Sequence, residues 1–258
     1  MAEPHRIEFI SAGPGDPDLL TVAGARRLAS CGAVFAPLQF QESFSSLLRD
    51  KMVESPFQLH HAEAVAWVER HLRDTPVAFL IPGDFSVFNP FQSFSAYFSS
   101  RARVTPGVGS HAAAAAVLQR AFDLPQAAHT TVFTSPRAFT RPGSRVRLGD
   151  YARPGNTLVL FMNNRPLGEL VAELTPGFGP GTPIAILERI ACPDQVITRG
   201  TLDTIAAILG DRDPYGVEGE GAEPRLALTI VGEALQGGEP PEWWDRRVDT
   251  LWIPRGMR

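Results

Sequence analysis

Three short glycine-rich turns, two of them carrying a carboxylate, are the places where this chain is best equipped to hold a small molecule. They are AGPGD at Ala12–Asp16, PGD at Pro82–Asp84 and PGVGS at Pro106–Ser110. Glycine lets the main chain approach a ligand closely, and each turn follows an apolar run of the kind that forms a strand. In an open α/β sheet, ligands bind outside the carboxyl ends of the strands, so several such turns at one edge make a better site than any one alone. A carboxylate such as Asp84 would bind hydroxyls or a cation there.

What the turns lack narrows the ligand. Gly107-Val108-Gly109-Ser110-His111-Ala112 formally matches a dinucleotide fingerprint and opens a helix, but a proline precedes it. About twenty residues on, HTTVFTSP offers no acid for a ribose hydroxyl. At the first turn, Gly13-Pro14-Gly15 runs on to Asp18 where a third glycine should stand. Pro14 removes an N–H donor, and Asp16 and Asp18 repel a pyrophosphate. An adenosyl ligand without phosphates, carrying a positive sulfonium, suits acidic Gly/Pro turns better and points toward S-adenosylmethionine.

Several other chemistries are excluded. Lys51 is the sole lysine and sits in the charged stretch RDKMVE, which rules out a P-loop and leaves no desolvated amine for a pyridoxal or Schiff-base enzyme. There is no HExxH, no Cys/His quartet and no GxSxG, so no metal site is expected and serine hydrolysis has no support. His60 and His61 read as the exposed start of a helix. Cys31 and Cys192 form no CxxC pair, which favours a reducing compartment. A formal net charge of −4 gives no electrostatic footprint for nucleic acid or anionic lipid. No apolar run reaches the ~18 residues of a membrane span. The start, MAEPHRIEF, has no signal-peptide apolar core, so a cytoplasmic protein is expected.

The elements that must position the turns follow from periodicity. Arg6–Ser11, Gly32–Pro37 and Pro76–Ile81 read as buried strands, RARVT at 101–105 as a short one, and LLTVAGARRLAS, Glu42–Glu54 and Ala62–Arg73 as helices. Such alternation implies a parallel sheet covered on both faces. HAAAAAVLQRAF forms an alanine-rich helix with Ser110 as its N-cap. The domain boundary is placed there, giving domains 1–108 and 109–258. Beyond it, Thr130–Thr134, Thr157–Met162, Pro183–Ile190 and Leu226–Val231 read as strands, Leu167–Leu174 and Leu202–Leu209 as helices, and Ser135–Gly155 as an extended loop. Asp211–Pro224 reads as an acidic solvated loop, and the Trp-rich tail EPPEWWDRRVDTLWIPRGMR is expected to pack on the body or a partner chain.

SAGPGDPDLLTVAGARRLAS followed by GAVFAP resembles the opening of the tetrapyrrole methylases, the class III methyltransferases of corrin and porphyrin precursors, whose pattern is GxGPGDPxLLT, helix, strand. PGDFSVF lies where that family has a GDPxxY-type loop, and TPGVGSHAAAAAVL where it has PGVSSxxAAAA. LPQAAHTTVFTSPR, NTLVLFMNN and IACPDQVITRGTLDTI resemble the precorrin-4 C11-methyltransferase subgroup, PDxxIxRGTLxxI being the most specific pattern. Together these segments cover most of residues 6–232, in family order.

The resemblance implies two α/β domains with mixed, mostly parallel sheets, S-adenosylmethionine in the cleft between them, and a homodimer. It puts the cofactor against Gly13, Pro14 and Gly15, against Gly83, Asp84 and Val87, and against Thr134, Phe161, Met162 and Ala185. It puts Ser110, Arg137, Arg199 and Thr201 toward a tetrapyrrole, with Arg199 and Thr201 marking an RGTL turn. Arg137, Arg141 and Arg165 are suited to the substrate's peripheral carboxylates, since the guanidinium fork matches them. Methyl transfer is an in-line displacement that needs positioning and exclusion of water, and no protein nucleophile. The proton acceptor is open, with Asp16 and Asp84 as candidates. The chain departs from the pattern at Phe85 for proline, Phe88 for tyrosine and Gly109 for serine, and APLQFQESFSS does not resemble the usual loop. Two alternatives therefore stand beside C11 methylation in corrinoid biosynthesis: another ring position or acceptor, and a non-catalytic binding paralogue.

Overall fold

A computed structural model of the protein describes residues 5–124, 126–140, 143–219, 222–223, 225–238, 242 and 244–246. Arg141 and most of the Trp-rich tail lie outside the described residues. The chain separates into two compact units, the first holding residues up to Ala114 together with Arg189–Val196, the second Ala115–Glu188 and the residues from Ile197 on.

In the first unit the apolar runs become β1 (Ile7–Ser11), β2 (Ala33–Phe35), β3 (Met52–Glu54), β4 (Val77–Ile81) and β5 (Ala102–Thr105). The intervening helices are α1 (Val22–Ser30), α2 (Leu38–Ser43), α3 (Ser45–Leu48), α4 (His61–His71), α5 (Gln92–Phe98) and α6 (Ser110–Leu118). The sheet order is β3-β2-β4-β1-β5 with parallel pairing. Strand side chains alternate between faces. Ile7, Phe9 and Phe79 pack with Val68 of α4 and Phe94 of α5, while Ile10 and Leu80 pack with Leu28 of α1 and Phe40 of α2. Every residue of β1, β2 and β4 is buried, as strands covered on both faces must be.

The helix expected over Glu42–Glu54 is instead two short helices and then β3. Phe40, Phe44 and Leu48 supply the helical spacing, and it ends at Leu48. Lys51 turns back to the end of α1, its Nζ donating to the Cys31 carbonyl at 2.7 Å, and Met52–Glu54 pairs with β2. Tertiary pairing decides this segment. His60 and His61 do open α4, the His60 N–H donating to Glu63 Oε2 at 2.8 Å.

One charged residue lies within the buried strand β1. Glu8 is 2% exposed. It stands opposite Arg103 of β5 in the strand register, and Arg103 Nε donates to both carboxylate oxygens at 3.1 and 3.0 Å. Arg27 Nε lies 3.9 Å away.

The second unit contains β6 (Ala128–Thr134), β7 (Gly155–Phe161), β8 (Pro183–Glu188), β9 (Val196–Thr201) and β10 (Ala227–Val231), ordered β6-β7-β10-β8-β9, with α7 (Leu167–Phe178) and α8 (Ile205–Leu209). β6 and β7 are parallel, and β10 runs antiparallel to β7 and β8. Leu167, Leu170 and Leu174 face the core of Leu158, Leu160, Ile184 and Ile186. The Ser135–Gly155 loop contains 3-10 turns at Pro136–Ala138 and Leu148–Tyr151, the second anchored by buried Leu148.

Asp211–Pro224 is not simply a solvated loop. Tyr215 is wholly buried in the core, its hydroxyl 2.7 Å from Thr229 Oγ1, and Asp213 accepts the Tyr215 N–H at 2.9 Å and the Glu218 N–H at 2.8 Å. The acidic composition conceals an aromatic anchor. No helix among the described residues is long and apolar enough to cross a membrane.

Removing Arg103 would leave the Glu8 carboxylate buried without its main partner. Arg103→Ala is expected to cost about 2 kcal/mol, less than a fully enclosed pair because Arg103 is half exposed. Urea denaturation checks this, and a midpoint equal to that of the unaltered protein would show that Glu8 does not depend on the pair.

Candidate functional site

Because β4, β1 and β5 are neighbours and parallel, the three glycine turns leave the same edge of one sheet side by side. Beyond β1 and β4 the chains continue to bond. Ala12 N donates to Ile81 O at 2.9 Å, Gly13 N to Gly83 O at 3.1 Å, and Gly83 N to Gly13 O at 2.8 Å. Gly13 and Gly83 have φ of 80° and 73°, a region that L side chains seldom enter. The third turn approaches just as closely: a Cβ on Gly107 would lie 2.5 Å from the Ser11 carbonyl oxygen.

Asp84 joins the turns. Its Oδ2 accepts the Gly107 N–H at 3.0 Å and its Oδ1 the Ser86 N–H at 3.0 Å, and the Ser86 hydroxyl also donates to Oδ1. Ser11 joins β1 to the same loop, its Oγ accepting the Phe85 N–H at 3.0 Å. Partial burial by itself raises the Asp84 pKa, but the bonds from Ser86 and Gly107 outweigh it and hold the carboxyl below its ordinary value. Three of the roughly four acceptor positions of a carboxylate are thereby filled. Asp84 is thus an anion that holds loops together and a weak proton acceptor.

Ser110 is the first residue of α6 and not its cap; the Gly109 carbonyl accepts the Ala113 N–H at 3.0 Å. His111 follows, half-buried, with its ring against Gly109. Burial lowers its pKa and the Asp84 charge opposes that shift. Val87 is half-buried in the turn after β4, its N–H donating to Asp84 O at 3.3 Å.

In the first turn, Asp16 caps the short 3-10 turn Pro17–Leu19, its side chain accepting the Asp18 N–H at 2.9 Å. Pro14 is half-buried, and a Cβ on Gly15 would come 3.1 Å from Cys192 Sγ, so the segment Arg189–Val196 sits on this turn. Neither cysteine is poised as a nucleophile: burial pushes the Cys31 thiol up to about 12 and also raises that of Cys192.

In the second unit, Thr134 and Phe161 end the parallel strands β6 and β7, and Met162 follows with φ 51°. Ala185 of β8 and Arg199 and Thr201 of β9 line one cavity of about 450 Å³ with Arg120, Thr204 and Gln236. The expected RGTL turn is therefore largely strand, with the bend after Thr201. Gly200 suits the motif, since a Cβ there would meet Ile208 Cδ1 at 2.9 Å and Thr204 Oγ1 at 3.1 Å, and its absence lets α8 lie close on β9 without displacing those side-chain ends. Thr201 N–H donates to Thr204 Oγ1 at 2.9 Å. Arg137 is exposed on a 3-10 turn, whereas Arg165 is engaged internally by Glu173, Nη1 to Oε2 at 2.6 Å.

Sequence reasoning missed Ser11, Ser86 and His111 as parts of the junction. Ser11 was the last letter of a strand, and Ser86, two residues after Asp84, carries the spacing of an Asx turn, which is a readable signal.

Residues 6–206 match the family model described as Tetrapyrrole (Corrin/Porphyrin) Methylases. A precorrin-4 C(11)-methyltransferase from a Sinorhizobium species is 32% identical, over 98% of this chain and 96% of its own. Among solved structures, a cobalt precorrin-4 methyltransferase of cobalamin biosynthesis superposes with a TM-score of 0.74 at 23% identity, covering 91% of this chain and 96% of that one. A uroporphyrin-III C-methyl transferase from Thermus thermophilus, complexed with S-adenyl homocysteine, gives a TM-score of 0.66 at 25% identity over 90% of this chain and 99% of that one.

The depressed Asp84 pKa has a signed consequence. Its stabilising contribution is full above the unfolded-state pKa of about 4 and is lost as pH falls through the lower folded-state value. Asp84→Asn is expected to cost roughly 1–2 kcal/mol at neutral pH. The gap to the unaltered protein should close in more acidic solution. Urea midpoints measured from pH 7 down to pH 2.5 test this, and two curves that stay parallel throughout would contradict it.

Proposed function

The chain belongs to the tetrapyrrole (corrin/porphyrin) methylases, and from that premise we propose that it is an S-adenosylmethionine-dependent methyltransferase that methylates precorrin-4 or its cobalt form at C11. The observation that carries the reading is the likeness to a precorrin-4 C(11)-methyltransferase along nearly the whole chain. The loop junction supports the choice of cofactor. Ala12–Asp16, Pro82–Phe88 and Pro106–His111 contain no lysine or arginine. They offer close-lying main chain and carboxylates, which suits a nucleoside and a cation and not a polyphosphate. Gly13, Pro14, Gly15, Gly83, Asp84 and Val87 are the first unit's proposed contacts, and Thr134, Phe161, Met162 and Ala185 the second's.

When bound, S-adenosylmethionine supplies an electrophilic methyl group on a positively charged sulfur. What the chain adds is position. The paired loops fix the main chain around the ligand, Asp84 keeps them from separating, and an enclosed, oriented approach of the acceptor carbon accounts for most of the acceleration such a displacement needs. Ser110, Arg137, Arg199 and Thr201 are proposed to face the macrocycle, the arginines toward its carboxylates. The reading extends to a homodimer acting in the cytoplasm.

Two measurements test this. Purified protein given S-adenosylmethionine and a panel of precorrin and cobalt-precorrin intermediates should add one methyl group to precorrin-4 or its cobalt form, read by mass spectrometry; methylation of a different intermediate alone would overturn the C11 assignment. Calorimetry should show S-adenosylhomocysteine binding once per chain. Gly83→Ala, which forces an L residue to φ near 73°, should weaken that binding about tenfold. Absence of binding by the unaltered protein would remove the methyltransferase reading, and sedimentation at the mass of one chain would remove the dimer.

A further inference from the structure

Residue 109 has no conformational need to be glycine. It is absent from the described glycines at positive φ, so an L side chain would find its main-chain shape ordinary. What excludes a side chain is His111. A Cβ on Gly109 would lie 2.4 Å from Cε1 and 2.6 Å from Nδ1 of the imidazole, distances that packed atoms do not sustain. The same Cβ would lie 3.5 Å from the Asp84 Cβ, an ordinary contact. The imidazole and the Asp84 side chain therefore flank one Cα, and the ring fills the volume that a side chain at 109 would take.

The two carboxylates of the junction are occupied in holding its loops. Asp84 accepts hydrogen bonds from Ser86 and Gly107 and is held below the ordinary carboxylate value, and Asp16 is engaged as a cap. His111 is half-buried, and burial favours its neutral form. Asp84, on the loop after β4, is the charged group whose field reaches the ring and would stabilise it once protonated. Gly107, Val108 and Gly109 around it carry no charge.

We propose that His111 is the proton acceptor of the loop junction, and that residue 109 is glycine so that its imidazole can sit beside Asp84. This rests on the methyltransferase reading. Methylating a fully substituted ring carbon such as C11 uses a π electron pair of the macrocycle for the new bond, returns the sulfur–methyl pair to sulfur, and leaves one proton to be removed from a ring nitrogen of the acceptor. A ring nitrogen of His111 takes it, and the resulting imidazolium is offset by the Asp84 carboxylate.

Nuclear magnetic resonance of histidine-labelled protein, assigned with His111→Gln, reads the group directly. His111 should titrate below the ordinary value of about 6.5. In Gly109→Ala, whose methyl pushes the ring toward water, the titration should move back toward that value. S-adenosylhomocysteine affinity should stay within about threefold in both variants. On the methyl acceptor, His111→Gln should lower turnover about a hundredfold and abolish the rise in rate with pH through the imidazole titration. An unchanged rate and pH profile in His111→Gln, or a His111 titration indifferent to Gly109→Ala, would overturn the proposal. So would loss of cofactor binding in both variants, which would make the imidazole a structural prop. Failure of the unaltered protein to bind S-adenosylhomocysteine would instead overturn the reading on which the proposal rests.

Discussion

Parallel strands lose their ladder of hydrogen bonds as soon as the chain leaves the sheet, so loops at their carboxyl ends need another agent to hold them in register. Here that agent is one carboxylate. Asp84 gathers N–H and O–H donors from its own turn and from Gly107 after β5, while Ser11 at the end of β1 accepts the N–H of Phe85 next to it. The Gly13–Gly83 bridge depends on the same closeness, and so does the approach of Gly107 to the Ser11 carbonyl. The consequence is chemical as well as mechanical. An anion surrounded by donors is stabilised in its charged form, and what makes it a good brace makes it a poor base.

The brace works only if the strands beneath deliver their loops at the right height. A slip of one residue between β1 and β5 would shift the third turn by about 3.3 Å and exchange the faces of every side chain. Glu8 and Arg103 stand opposite each other across that pair, and their two-oxygen contact is satisfied in one register. A buried carboxylate in a central strand is expensive as a source of stability. As a pin for the loops above it, its position is understandable. The second unit uses volume instead of charge: Gly200 admits α8 against β9, and Tyr215 fixes an acidic segment by its buried ring and its bond to Thr229.

Much of this was legible where local pattern and tertiary demand agree. The runs at Ile7–Ser11 and Val77–Ile81, the glycine turns after them and the alanine-rich α6 carry their structure in their composition. The failures share one cause. Met52–Glu54 is a strand only because β2 offers an edge, and Val196–Thr201 only because the second sheet does; neither has an apolar run of its own. Tyr215 was hidden among Asp, Gly and Glu, where composition argues for solvent. The candidate site was legible as a set of turns and illegible as a set of partners, because the bond from Gly107 to Asp84 spans 23 residues and no spacing rule encodes it.

The departures from the family pattern gain meaning from the same geometry. A proline at position 85 would have no N–H, whereas Phe85 donates to Ser11 Oγ and sets its ring edge-on to Phe9 at 6.4 Å. The substitution thus adds a bond between the loop after β4 and the end of β1. Gly109 is matched by an imidazole in the space it vacates. Phe88 and Met162, in two of the segments assigned to the cofactor, hold φ of 50° and 51°, a conformation that costs about 1–3 kcal/mol for such residues. A loop freed from binding would be expected to relax strain of that size. Strain kept at both positions weighs against a paralogue that has given its ligand up.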